Sequence, residues 1–209
     1  MPVNSDVRQH LNAVSAYLRT DEREEAVRSI EWAALQAAQL KEDPYLWKWV
    51  LISLHNAVQG FLVLALCRGN GLLTLTPKSA ERWMKAYESG EAFPPDRLDD
   101  FLSLYAKAKD QENFHMFGSG AFRPGLTHDR SMALLNEFRN MFTHFTPKGW
   151  SLELAGLPSI CLDALDVVRW FGWETTAVTW YEPNFVERSK RSHEQLAASL
   201  SALSNGDAA

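Results

Sequence analysis

The stretch LISLHNAVQGFLVLAL, residues 51–66, is apolar on almost every side when wound as a helix. A helix of that kind has to be enclosed, either by lipid or by a shell of other helices. The full apolar run, Val50 to Cys67, is long enough to raise the question of a membrane span. His55, Asn56 and Gln59 stand near its middle, however, and such groups are costly in hydrocarbon. The expected outcome is the central helix of a bundle, with no membrane partner. Asp43-Pro44 supplies its start, with Pro at the first helical position, and Arg68-Gly69-Asn70-Gly71 its end. The three polar residues are expected to form a buried hydrogen-bond network that fixes helix register.

Helices able to form the shell are legible on both sides. Thr20 or Asp21 caps a helix to about Leu40, with Glu24 placed for a capping box, and an amphipathic stretch over 6–18 precedes it. Thr76-Pro77 opens another that Gly90 stops, and Pro94-Pro95-Asp96 leads into one ending near Asp110. Residues 111–126 place Phe114, Phe117 and Phe122 among glycines, which suits an ordered loop better than a linker. Thr127 caps a further helix. The alternation Trp150-Ser151-Leu152-Glu153-Leu154 after it suggests a short strand or β-hairpin arm. Pro158 opens a long helix to about Tyr181, and Glu182-Pro183-Asn184 separates it from a charged helix over 184–203 and a frayed tail at 204–209. No repeat or clear boundary divides residues 1–209. The expected fold is all-α: one domain with its core over about 21–181, in an antiparallel up-down bundle of six to eight helices.

Charge and cysteine usage narrow the function classes. A net charge of −5 argues against a broad grip on long nucleic acid, which depends on many cations, but leaves room for a local phosphate site. Cys67 and Cys161 lie far apart in apolar stretches and read as buried free thiols. The opening residues MPVNSDVRQH lack the apolar core of a signal peptide, so a cytoplasmic location is expected. Trp47, Trp49, Trp170 and Trp173 sit at core spacing within apolar helices. Asp163 and Asp166, three apart, read as helix-surface acids rather than metal ligands, and no cofactor or metal motif is present.

What remains is LLNEFRNMFTHF, residues 134–145, closed by Pro147. Leu134, Leu135, Phe138, Met141, Phe142 and Phe145 recur at helical spacing and predict a core stripe. Asn136, Arg139, Asn140, Thr143 and His144 are expected on the other side, in a mixture unlike a lysine–glutamate surface. Arg followed five residues later by His occurs three times: Arg123–His128, Arg139–His144 and Arg188–His193. Spacing alone selects none of them. The first crosses a Pro-Gly loop and the third lies in a highly polar helix, whereas Arg139–His144 lies on an amphipathic one. Arginine is a permanent planar cation suited to a phosphate, and histidine transfers protons near neutrality. Positions five apart differ by roughly 140° around a helix, so Arg139 and His144 do not share one narrow face. Two copies about a twofold axis could bring both groups to one groove.

The stretch Arg139-Asn140-x-x-x-His144 on a helical chain resembles the HEPN superfamily, whose hallmark is Arg, four to six residues, then His, often with a polar residue directly after the Arg. The resemblance covers these three residues. It implies a metal-independent endoribonuclease, acting as a homodimer with a composite site and cutting RNA by 2′-hydroxyl attack. Arg139 would stabilise the phosphorane, His144 would transfer the proton, and Asn140 would orient. Members in toxin–antitoxin systems imply a protein antitoxin as a partner. Some toxin members carry a Tyr two residues after the His as a target of nucleotidyl modification; Thr146 stands here, a departure that puts that route in doubt. The other class compatible with the sequence is a non-catalytic helical interaction or nucleotide-binding module.

Overall fold

The computed structural model describes residues 17–114, 120–144, 147 and 149–204. Most of the stretch over 6–18, together with Phe117, Phe145, Thr146 and the tail from 205, lies outside them. Among the described residues the chain is all-helical, with seven α-helices and no strand. They are α1 (Glu22–Ala37), α2 (Trp47–Leu66), α3 (Pro77–Ser89), α4 (Phe101–Lys109), α5 (His128–Thr143), α6 (Leu157–Arg169) and α7 (Pro183–Ser204).

Helix starts follow capping chemistry. Asp21 accepts from the backbone N–H of Arg23 and Glu24. Asp43 accepts from that of Tyr45, Thr76 from Ser79, and Asp100 from Ser103. The capping box expected of Glu24 does not form, because its carboxylate is drawn to Arg28 and to Arg188 of α7. Helix α4 starts later than Pro94-Pro95-Asp96 suggests, since Asp100 provides the cap and residues 94–98 are irregular. Thr127 makes no side-chain cap for α5.

Helix α2 is the axis of the fold and packs against α1, α4, α5 and α6. Its segment Pro44–Leu66 is long and apolar enough to cross a membrane by length and composition, yet most of it is buried against these neighbours, as a core helix would be. Small residues bring α1 close: a methyl on Gly60 would stand 2.7 Å from Ala26 Cβ and 3.1 Å from Ala26 Cα. Val27, Ile30, Ala33 and Ala34 continue that buried face of α1. Arg188 of α7 then clasps α1 from outside, donating to both Glu24 and Glu31. One buried cluster draws on every helix except α3.

Helix α6 stops at Arg169, well before Tyr181. A π-helical turn, Trp170–Glu174, follows it, and within it Gly172 passes against the Phe61 ring, where even a Cβ would lie 2.9 Å from Cε1. Trp180 Nε1 donates to Gly172 O at 2.8 Å and holds the chain in its reversal. No strand forms at Trp150–Leu154. That alternation instead lays Leu152 against the core and Trp150 beside the Phe142 ring, centroids 4.9 Å apart. Helix α3 stands apart. Its neck is the isolated antiparallel bridge Leu75–Leu98, and Lys107 Nζ reaches Leu73 O (3.0 Å), Leu75 O (2.7 Å) and Asp99 Oδ2 (2.7 Å) there. Trp83 stacks with Tyr87 and Phe93 inside this lobe.

Candidate functional site

Helix α5 presents Met132 and Leu135 to the core. Arg139 follows Leu135 by four residues and Met132 by seven, so it continues the same row. The apolar stripe expected of α5 holds for Leu134, Leu135, Phe138 and Phe142, and Thr143 and His144 are exposed as expected, but the polar side is not wholly separate from it. Arg139 and Asn136 both belong to the inward part of the helix, each half-buried, while Met141 of the expected stripe is exposed. For Asn136 the partner that makes an inward position tolerable comes from α2.

That partner is His55. Its Nε2 lies 3.2 Å from Asn136 Oδ1, and its ring stacks on Phe101 of α4 at 4.1 Å. Its Nδ1 is buried without a hydrogen bond. Burial pushes the His55 pKa down to about 4; hydrogen bonding with Asn136, and more weakly with Asn56, opposes this, and the positive charge of Arg139 adds to it. His55 is thus a neutral donor under a cation. The polar trio expected on α2 forms a network only in part: His55 meets Asn136 of α5 and is influenced by Asn56, whereas Asn56 and Gln59 also border a crevice on the α1 side, with Ser29 and Glu25.

The Arg139 guanidinium donates from Nη1 to Asn140 Oδ1 at 2.8 Å. No carboxylate pairs with it among the described residues, as is true of several exposed arginines, whereas the half-buried Arg23, Arg169 and Arg188 have carboxylate partners. Asn140 therefore orients Arg139 and not His144. His144 caps the C-terminus of α5, its N–H donating to Asn140 O at 2.8 Å. Its exposed ring is held by no hydrogen bond or ion pair among the described residues. Thr143 Oγ1 turns back to Arg139 O at 2.8 Å. The structure thus joins Arg139 to Asn140 and leaves the His144 imidazole apart from both.

The other two Arg–His spacings serve packing. Arg188 belongs to the α1 clasp, and His193 sits edge-on to Trp173, its pKa lowered chiefly by burial. Arg123 is exposed while His128 faces α6. There the fold adds His128 to the acid pair the sequence showed: ligand-type atoms of His128, Asp163 and Asp166 lie within 4.8 Å of one another. The hydrogen bonds of this cluster suit a clamp better than a metal. Gly125 N–H donates to His128 Nδ1 (3.0 Å), which leaves the proton of the neutral ring on Nε2, facing Asp166 at 3.3 Å. Ser131 donates to Asp163 and Arg169 to Asp166. A metal on Nε2 would need that proton moved and the Gly125 bond broken.

Two further expectations change. Cys67 is exposed at the end of α2, while Cys161 is buried, which pushes its thiol up to about 12. Trp47, Trp170 and Trp173 pack on the core as expected, but Trp49 is half-exposed. No protein-family model, curated protein or solved structure matches this chain.

Proposed function

We propose that the chain is a HEPN-type, metal-independent endoribonuclease whose active groove forms between two copies. The observation that carries this reading is Arg139: a half-buried guanidinium, oriented by Asn140, with no carboxylate to neutralise it among the described residues. A cation so placed suits an anion supplied from outside, and its planar fork matches phosphate oxygens. His144 stands exposed at the helix end, where a substrate can reach it. Because its ring does not meet Arg139 within one chain, a twofold partner supplies the missing juxtaposition. In such a groove one His144 takes the proton of a ribose 2′-hydroxyl as O2′ bonds to phosphorus. His144 of the other copy, protonated, gives its proton to O5′ as the P–O5′ bond breaks. Arg139 stabilises the negative charge of the phosphorane between these events. The products carry 2′,3′-cyclic phosphate and 5′-hydroxyl ends. An antiparallel up-down order of the helices, a cytoplasmic location and a protein antitoxin belong to the same reading.

The test is RNA cleavage by the purified chain in EDTA with analysis of the ends. Arg139→Ala and His144→Ala, each folded by circular dichroism, should lose roughly 10²-fold or more in rate. Cleavage at the wild-type rate by both variants refutes the site. A second reading is favoured by the separation of His144 from Arg139: a non-catalytic module that binds a nucleotide phosphate at Arg139 alone. It predicts phosphate-dependent binding lost in Arg139→Ala, retained in His144→Ala, and no cleavage by either.

A further inference from the structure

Beside the motif, between the start of α2 and the Trp150–Leu154 arm, runs a groove of about 770 Å³. Tyr45 and Trp49 open onto it, 87% and 49% exposed, and Phe142 and Trp150 form its wall. Single exposed aromatics are ordinary, but several converging on one concave surface mark a binding site. Lys48 stands at the groove with its Nζ 4.8 Å from the Trp49 ring centroid, and none of the described lining residues carries a carboxylate. In a chain of net charge −5, that local balance is the reverse of the whole.

The groove is also in register with Arg139. His55 meets Asn136, and Lys48 shares the groove with Phe142, so α2 and α5 run in opposite senses along this contact. Arg139 falls between the two contacts. Phe142 is three residues farther along, about 4.5 Å of helix axis, which is within the reach of one nucleotide.

We infer that this groove is a nucleobase-stacking site for single-stranded RNA, receiving a base adjoining the phosphate presented to Arg139. The inference rests on the RNA-directed reading above. Aromatic faces accept any base, because every base has a π-face, and Lys48 attracts the intervening phosphate. The groove volume falls within the range of small-molecule sites, enough for one or two nucleotides and too confined for a duplex.

Binding of a short fluorescein-labelled 2′-O-methyl oligouridylate to the wild-type chain tests this by anisotropy, since that oligomer lacks the attacking hydroxyl and is not cleaved. A same-length oligomer with abasic sugars is the control. The abasic oligomer should bind about 5- to 150-fold more weakly. Trp49→Ala and Tyr45→Ala should each weaken the base-bearing oligomer by a factor in that range and leave the abasic one unchanged. Tyr45 lies outside the core cluster, so its variant keeps the test open if Trp49→Ala misfolds. Equal affinity for the two oligomers, no binding of either, or full affinity in both variants overturns the inference. A fall in oligomer mass by light scattering in these variants, without a base-selective loss, also overturns it and makes the groove a protein interface. Base-selective binding without cleavage in EDTA refutes the nuclease reading alone; cleavage with base-indifferent binding refutes the groove alone.

Discussion

His55 ties α2 to α5 through Asn136, within electrostatic reach of Arg139, and its titration tests that arrangement. In the fold its pKa is held at about 4, against about 6.5 for an unperturbed imidazole. The gap of roughly 2.5 pH units, at about 1.4 kcal/mol each, corresponds to about 3 kcal/mol. The unfolded chain takes up the proton first as pH falls, so the contribution is fully present above about pH 6.5. It is lost progressively down to about pH 4 and does not change further below that. Structurally, the added proton would sit on Nδ1, which has no acceptor, beside the cation of Arg139. The perturbation is His55→Gln, which keeps an N–H donor for Asn136 and does not titrate. Urea denaturation of both proteins across this window gives the difference attributable to His55, since other acid-sensitive groups are common to both. The wild type should lose about 3 kcal/mol more than the variant. Imidazole titration by NMR supplies a second reading: in Arg139→Gln the His55 pKa should rise, because one of the charges depressing it is gone. Identical losses in wild type and His55→Gln across the window, or a His55 pKa unmoved by Arg139→Gln, would show that α5 does not face α2 as described.

Gly60→Ala should destabilise by about 1–2 kcal/mol, because overpacking against Ala26 outweighs the gain in helix propensity. Ala26→Gly should recover most of that loss in the double variant, and additive losses in denaturant titrations would contradict the close approach. Arg188→Ala should cost about 1–2 kcal/mol by thermal unfolding, since it removes bonds to two partly buried carboxylates. Hydrogen bonds from Arg188 chiefly hold Glu24 and Glu31 below the usual carboxylate range, with burial opposing. Their contribution is present above that ordinary range and is lost as pH falls through the lowered values. Arg188→Ala should therefore lose less stability on acidification than the wild type. A thiol reagent should label Cys67 promptly in the native protein and Cys161 only after unfolding, as mass spectrometry of modified peptides will show.

The elements that the sequence disclosed best are those governed by local chemistry. Asp21, Asp43, Thr76 and Gly90 mark helix ends because their side chains, or the lack of one, act on neighbouring backbone. The central helix was legible because its burial is written in its own residues. Long-range encounters were not. No Gly-Pro break or charged cap near Arg169 signals the end of α6, so it read as about twice its length, and the close approach of Gly172 to Phe61 was equally hidden. That Asn136 turns inward was hidden because the imidazole it meets is about eighty positions earlier in the chain. The groove beside Phe142 was hidden for the same reason: Trp49 has core spacing on α2, and only the arm at Trp150 makes its exposed face one wall of a cleft. The three Arg–His spacings could be ranked from helix amphipathicity, but the packing duties of Arg188, His193 and His128 emerge only with their partners.

The neck beneath α3 gives the chain an exchangeable port. Leu75 and Leu98 enter and leave side by side, and Lys107 spends its three protons holding the closure from below, so the core does not depend on what is strung between them. Only Ser79 and Ala86 of α3 are buried, and neither joins the main cluster. Replacing the roughly twenty intervening residues with a short turn would lower the loop-closure cost by about 1–2 kcal/mol. A sequence of another length could be grafted at the same point for a comparably small entropic charge. A change of chain length at this point would leave the pairing of His55 on α2 with Asn136 on α5 untouched.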